Sequence, residues 1–227
     1  MSLWSRGLGF GLVALLAVPF ATGDRAASAN AQDETATQVI VASETAMKDV
    51  KSFHVVGVVG GKATASSFSL SLSGTGGGGD ISVPGATLKI VVAAGTAYIL
   101  ANEASWLKLT GSQATAQMVA NHWINAPANN GNFSNFADLT ITKDFVTEFF
   151  PGAATHISNT GGIVTVHGKK TIVLTDPEGD SLYVAAIGPP YMLYVQGENL
   201  QDLLTFSHFG DAQLPAVPKN AITLPGT

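Results

Sequence analysis

The sequence predicts an α+β fold that is mainly β: a single, strongly curved antiparallel sheet, a half-open barrel, with helices on its concave face. Three observations predict it. Turn signals recur about every ten residues through two long stretches, one near each end of the chain. Apolar residues alternate with polar ones between those turns, the period of a half-buried strand. Short segments with helical spacing lie before the first stretch and between the two. A sheet of that many strands is expected to curl, and the helices to cover its hollow.

The first element is a helix over Thr35 to Val50, with Val39, Ala42, Ala46 and Val50 on one face. The period then switches from helix to strand. Phe53 to Val59 is a β-branched run that stops at Gly60-Gly61, and Ser67 to Ser73 alternates Phe68, Leu70 and Leu72 with serines. Gly74 to Gly79 reads as a flexible hairpin tip. Asp80 to Val83, Thr87 to Ala93 and Thr96 to Ala101 complete a first meander around the Pro84-Gly85 and Gly95 turns. Ser112 to Asn121 suits a short helix, Trp123 to Ala126 an extended piece, and Asn129 to Asn132 a polar turn. Thr142 to Phe150 suits a helix with Thr142 as N-cap and Phe145, Phe149 and Phe150 as its apolar stripe. Hairpins resume with Ile163–Val166 and Thr171–Thr175 around His167-Gly168. Ser181–Ile187 and Tyr191–Gln196 follow, then a strand over Leu203–Phe209 and an extended or loose tail with Pro215, Pro218 and Pro225.

The N-terminus has the layout of a secretory signal: Arg6, an apolar run from Leu8 to Ala21, then the small-x-small pattern Ala29-Asn30-Ala31. The run is short for a transmembrane helix, which needs about 20 residues. Residues 1–31 are therefore expected to be a signal peptide and 32–227 a single domain. An uncleaved anchor is the alternative for the first segment.

Composition narrows the function classes. Hydrophobic residues make up 46% and charged residues only 12% of the 227, and mean hydropathy is +0.27, so apolar surface must be buried in quantity or kept for a partner. Sixteen acidic against eleven basic residues give −5, with no basic run longer than Lys169-Lys170, which excludes nucleic acid as a partner. The chain has no cysteine, so disulfides, thiolate catalysis, Cys-containing zinc sites and a lipid anchor on an N-terminal cysteine are excluded.

No catalytic pattern stands out, and the chain is expected not to be an enzyme and to need no cofactor. His54, His122, His156, His167 and His208 show no ligand spacing, and sheet or surface histidines are the default. The glycine run lacks the helix and Lys-Ser/Thr pair of a phosphate loop. No G-x-S-x-G elbow is present. Asp176, Glu178 and Asp180 alternate around a Pro-Gly turn, where a solvated turn outweighs weak calcium binding. Asn132-Phe133-Ser134 matches a glycosylation sequon. The apolar faces are the informative group. Phe68, Leu70, Leu72, Leu88, Ile90 and Val92 should share one side of the first meander. Leu182, Val184, Met192 and Tyr194 should do so in the second, with Phe145 and Phe149 above them. At this level a filled core and a ligand cavity are both open.

The order of these features resembles that of bacterial exported lipoproteins of the mycobacterial LppX/LprG type, which share a half-open barrel with the carrier LolA and the sensor RseB. The residues carrying the resemblance begin with Asp49-Val50-Lys51-Ser52-Phe53-His54-Val55, Gly95-Thr96-Ala97-Tyr98-Ile99 and Trp106-Leu107-Lys108-Leu109. They continue with His167-Gly168-Lys169-Lys170, Leu174-Thr175-Asp176, Leu182 to Ala186 leading to Pro190-Tyr191, and Thr205 to Gly210. The similarity spans most of residues 32–227 through strand-and-turn patterns. It implies an extracytoplasmic, monomeric carrier of a lipid or lipidated molecule, with an RseB-like module that binds an envelope protein as the alternative. Members of the LppX/LprG type carry a lipobox cysteine, which this chain lacks; a released protein without a lipid anchor is expected.

Overall fold

The computed structural model describes residues 31–60, 64–129, 134–153, 157, 159–197 and 203–223. The proposed signal segment up to residue 30, the sequon residues Asn132 and Phe133, His156 and Pro225 lie outside them.

The chain opens with α1 (Ala31–Asp49) and runs through the meander β1 (Ser52–Val59), β2 (Ser66–Ser73), β3 (Gly76–Val83), β4 (Ala86–Ala93) and β5 (Thr96–Ala101). The helical pair α2 (Glu103–Thr110) and α3 (Gln113–Val119), the strand β6 (Ile124–Pro127), and helices α4 (Ser134–Asp138) and α5 (Thr142–Phe149) follow. The second meander is β7 (Asn159–Val166), β8 (Lys169–Thr175), β9 (Ser181–Ala185), β10 (Met192–Gln196) and β11 (Leu203–Ser207). A short β12 (Ile222–Thr223) ends it. The twelve strands of the described residues form one sheet in the order β12-β6-β5-β4-β3-β2-β1-β11-β10-β9-β8-β7.

That order corrects the expected half-open barrel. The fold is α+β with one large open sheet, neither strongly curled nor closed. Closure requires the terminal strands to share a ladder, whereas the order here is linear and runs from β12 at one end to β7 at the other. Nor is the sheet wholly antiparallel, since β12 pairs with β6 in parallel. The two meanders meet at a single seam, β1 against β11, in the register His54–Ser207 to Val58–Leu203.

Local chemistry explains most elements. Ala94-Gly95 and His167-Gly168 all have positive φ (49°, 74°, 48° and 76°), the two-residue geometry whose twist matches paired strands. The N-cap of α2 is Asn102, whose side chain accepts from the Ser105 amide, and its C-cap is Gly111 at φ 66°. The sequence analysis assigns no element to Glu103–Thr110, although both capping residues lie in the sequence. In α3, Ser112 caps by accepting from the Thr115 amide. Thr142, read as the N-cap of α5, is instead its first buried residue; Ile141 is the cap and makes no side-chain bond.

Of Gly74 to Gly79, read as a flexible hairpin tip, Gly74 and Thr75 form the turn and Gly76 to Gly79 are the first half of β3. A Cβ at Gly76, Gly77, Gly78 or Gly79 would run into the backbone of β2 or β4: the Ser69 and Ser71 carbonyls on one side, those of Ile90 and Val92 on the other. The glycines let three backbones approach where any side chain would separate them.

Helix α1 starts earlier than expected, and its buried face is rotated. Ala36, Ile40, Ser43, Met47 and Val50 are buried, while Ala42 is exposed and Val39 and Ala46 are only half-buried. This helix packs on α5, β7 and β10.

Candidate functional site

The face of the sheet under α1 and α5 is built from aligned apolar rows. One row runs Phe206–Val55–Leu70–Gly79–Ile90–Ile99–Ile124 across seven strands. A second runs Leu204–Gly57–Phe68–Ile81–Leu88–Ala101, and a third Phe53–Leu72–Gly77–Val92–Ala97. Period-two alternation in each strand places these residues on one face, and register aligns them. In the second meander Leu174 faces Leu182, and Val184 lies between Ile172 and Met192.

Helix α5 lays an aromatic group on the middle of this face. The Phe145 and Phe149 rings stack at 4.2 Å, and Phe145 meets Phe53, Phe68 and Phe206 edge-on at 5.9, 6.2 and 6.3 Å. Edge-to-face contacts suit the ring quadrupoles.

Eleven of the twelve residues singled out from the sequence come together in one buried cluster: Phe68, Leu70, Leu72, Leu88, Ile90, Val92, Phe145, Phe149, Leu182, Val184 and Met192. Tyr194 does not join them. A register shift between Met192 and Tyr194 breaks the alternation of β10. The ring of Tyr194 is half-buried beside Tyr183 and His167, at 6.4 and 5.2 Å. Phe53 and Phe206, which complete the aromatic group, were legible as strand positions but not as a cluster, because 153 residues separate them.

Two buried hydroxyls on the helices stand out in the largely apolar interior. Ser43 on α1 and Thr142 on α5 are buried on the inward faces of their helices, and among the described residues neither hydroxyl has a hydrogen-bond partner. A buried hydroxyl without a partner is costly, about 1–3 kcal/mol.

The remaining candidates sit elsewhere. His54 lies on the opposite face of β1, its Nδ1 3.1 Å from Ser71 Oγ and its Nε2 3.3 Å from Ser69 Oγ, with the His208 ring 6.3 Å away. Burial of the ring, and then the His208 charge, lowers its pKa below that of an ordinary imidazole. The Asp176–Asp180 turn is closed from within: Asp176 Oδ1 accepts from the Asp180 amide at 2.8 Å. Burial raises the Asp176 pKa, opposed by that amide and reinforced by the charges of Asp180 and Glu178. Among the described residues no group of three or more His, Asp or Glu side chains is placed to hold a metal ion. No described helix is long and apolar enough to cross a membrane.

No protein-family model matches the chain, and no curated protein matches it. Solved structures do. LprF from Mycobacterium bovis superposes with a TM-score of 0.54 at 15% identity, over 82% of this chain and 99% of that one. The lipoprotein LppX of Mycobacterium tuberculosis gives 0.46 at 12% identity, over 82% and 98%. The MucA/MucB complex of Pseudomonas aeruginosa gives 0.38 at 16%, over 81% and 58%. In its fold, this cysteine-free chain is similar to LprF from Mycobacterium bovis.

Proposed function

We propose that the protein is an extracytoplasmic binding or carrier protein for a lipid or lipidated molecule, whose apolar chains lie between the sheet and helices α1 and α5. In this reading residues 1–31 are removed on export, residues 32–227 act as one domain without a lipid anchor, and no bond chemistry takes place. The observation that carries it is the pair of buried hydroxyls, Ser43 and Thr142, which have no partner among the described residues and are set into a largely apolar interior that spans both meanders. The alkyl chain supplies the driving force, about 0.8 kcal/mol per buried CH₂, and a carbonyl or hydroxyl of the guest meets the two side chains. The shared fold with LprF supports the same reading.

The test is native mass spectrometry of the exported protein after gentle purification, with organic extraction of what it carries. Lipid adducts are expected, and a Ser43→Ala/Thr142→Val double variant should retain less of them. Recovery of the bare chain alone, with no uptake on incubation with mixed lipids, overturns the proposal.

A protein-interaction role is the second reading. It is favoured by apolar side chains left in water on the sheet: Val56, Val58 and Leu203 at the seam, and Ile163 and Val164 on the terminal strand β7. Saturable capture of one envelope protein by a chain that takes up no lipid would establish it.

A further inference from the structure

A separate groove opens at the end of the second meander, where the start of β8, the end of β9, the start of β10 and the residues after β11 meet. Its volume is about 520 Å³, within the range of small-molecule sites, roughly 300–1,000 Å³. Its apolar wall is Ile187, Tyr191, Leu193 and Phe209, and its rim carries Lys169 and Lys170. None of the twelve residues singled out for the interior lines it, so the site stands whether or not that interior takes a guest.

Three features make the groove more than a crease. Tyr191 and Phe209 stack nearly parallel, 4.4 Å apart at 11°, and both pack against the core, so the wall is preformed. Ile187 is 74% exposed at the mouth, held there by the Gly188-Pro189-Pro190 turn. Lys169-Lys170 is the one adjacent basic pair in a chain of net charge −5, and among the described residues neither lysine has a carboxylate within 4 Å. Cationic charge at one end of an apolar groove matches a ligand with an anionic head and an apolar tail. The surrounding negative charge disfavours adsorption of simple anions elsewhere.

We propose that this groove binds one molecule of an anionic amphiphile, its carboxylate or phosphate head at the end of the groove that Lys169 and Lys170 line and its alkyl chain along Ile187, Leu193 and the Tyr191–Phe209 stack. The ligand is a dissolved monomer, not the surface of a bilayer.

The test uses the purified exported chain and dodecyl phosphate below its micelle concentration, by titration calorimetry and amide chemical shifts. One molecule should bind per chain and shift the amides around Gly168–Lys170, Ile187 and Tyr191. Lys169→Gln/Lys170→Gln should weaken binding about tenfold, and Ile187→Gln about fivefold. All three side chains are exposed, so the variants should keep the parent melting temperature. Inorganic phosphate alone should not saturate the site at the concentrations that dodecyl phosphate needs. Equal binding of uncharged dodecyl maltoside, unaffected by the lysine changes, would overturn the proposal. Shifts confined to the interior beneath α1 and α5 would overturn it too. So would binding only to phosphatidylglycerol vesicles, which would make the pair a membrane contact.

Discussion

Replacing Phe145 by alanine tests the packing on which the interior depends. The side chain is fully buried, and its ring touches four others drawn from α5, β1, β2 and β11. A buried Phe→Ala change costs about 3–5 kcal/mol through lost transfer energy and the cavity left behind. Each well-oriented ring pair adds about 0.5–1.5 kcal/mol beyond area, so the upper end of that range is expected. In a domain of this size each kcal/mol lowers Tm by about 2–4 °C, which gives a fall of about 10–20 °C. Urea unfolding followed by far-UV circular dichroism measures the loss directly, and Phe145→Leu, which keeps most of the volume, should cost about 1–2 kcal/mol. A loss below about 1.5 kcal/mol for the alanine variant would show that α5 is not anchored by this ring cluster, and the account of the interior would fall with it.

Three further outcomes follow from the geometry. Gly79→Ala should cost about 2–4 kcal/mol, because the new Cβ meets the backbone of Ser69 and Leu70; Gly95→Ala, where the same methyl points into open space and only positive φ opposes it, should cost about 1 kcal/mol. Asp176→Asn keeps the Oδ1 acceptor for the Asp180 amide and removes a charge that burial disfavours, so it should stabilise the fold at pH 7. The carboxyl's folded pKa is raised, so its favourable contribution is present at low pH and lost as pH rises through that value; the advantage of Asn should therefore vanish near pH 4 in parallel urea titrations. His54 has the opposite sign: its folded pKa lies below about 6.5, the unfolded chain binds the proton first, and stability should fall as pH drops from 7.5 toward 5, with a shallower slope in His54→Gln.

How far the fold could be read depended on how local each signal was. Ser67 to Ser73 alternates without interruption, and all three of its apolar residues lie on the buried face. The same holds for Leu88, Ile90 and Val92 in β4. Hairpin turns at Pro84-Gly85, Gly95 and His167-Gly168 were equally legible, since a positive φ is a property of two or three residues. Gly74 lies in the expected hairpin turn, but Gly76 to Gly79 were misread because their role depends on neighbouring carbonyls. A glycine tract with nothing beside it is a flexible tip; between β2 and β4 it is a strand. Tyr194 was misplaced for a related reason: a register shift in β10 is set by pairing with β9, and no pattern within β10 announces it.

The amino-acid sequence by itself settles the alternation of most strands, the turns that join them, the absence of thiol chemistry, and an acidic balance unsuited to nucleic acid. Each is a matter of period, composition or a few adjacent residues. Only the tertiary structure decides that the sheet stays open, that β1 and β11 form the seam between the meanders, and that α1 buries Ile40, Ser43 and Met47 rather than Ala42 and Ala46. It alone brings the Lys169-Lys170 pair to the Tyr191–Phe209 stack. Those outcomes rest on contacts between segments far apart in the chain, where the favourable register and helix face are chosen by the partner surface and not by the segment's own periodicity.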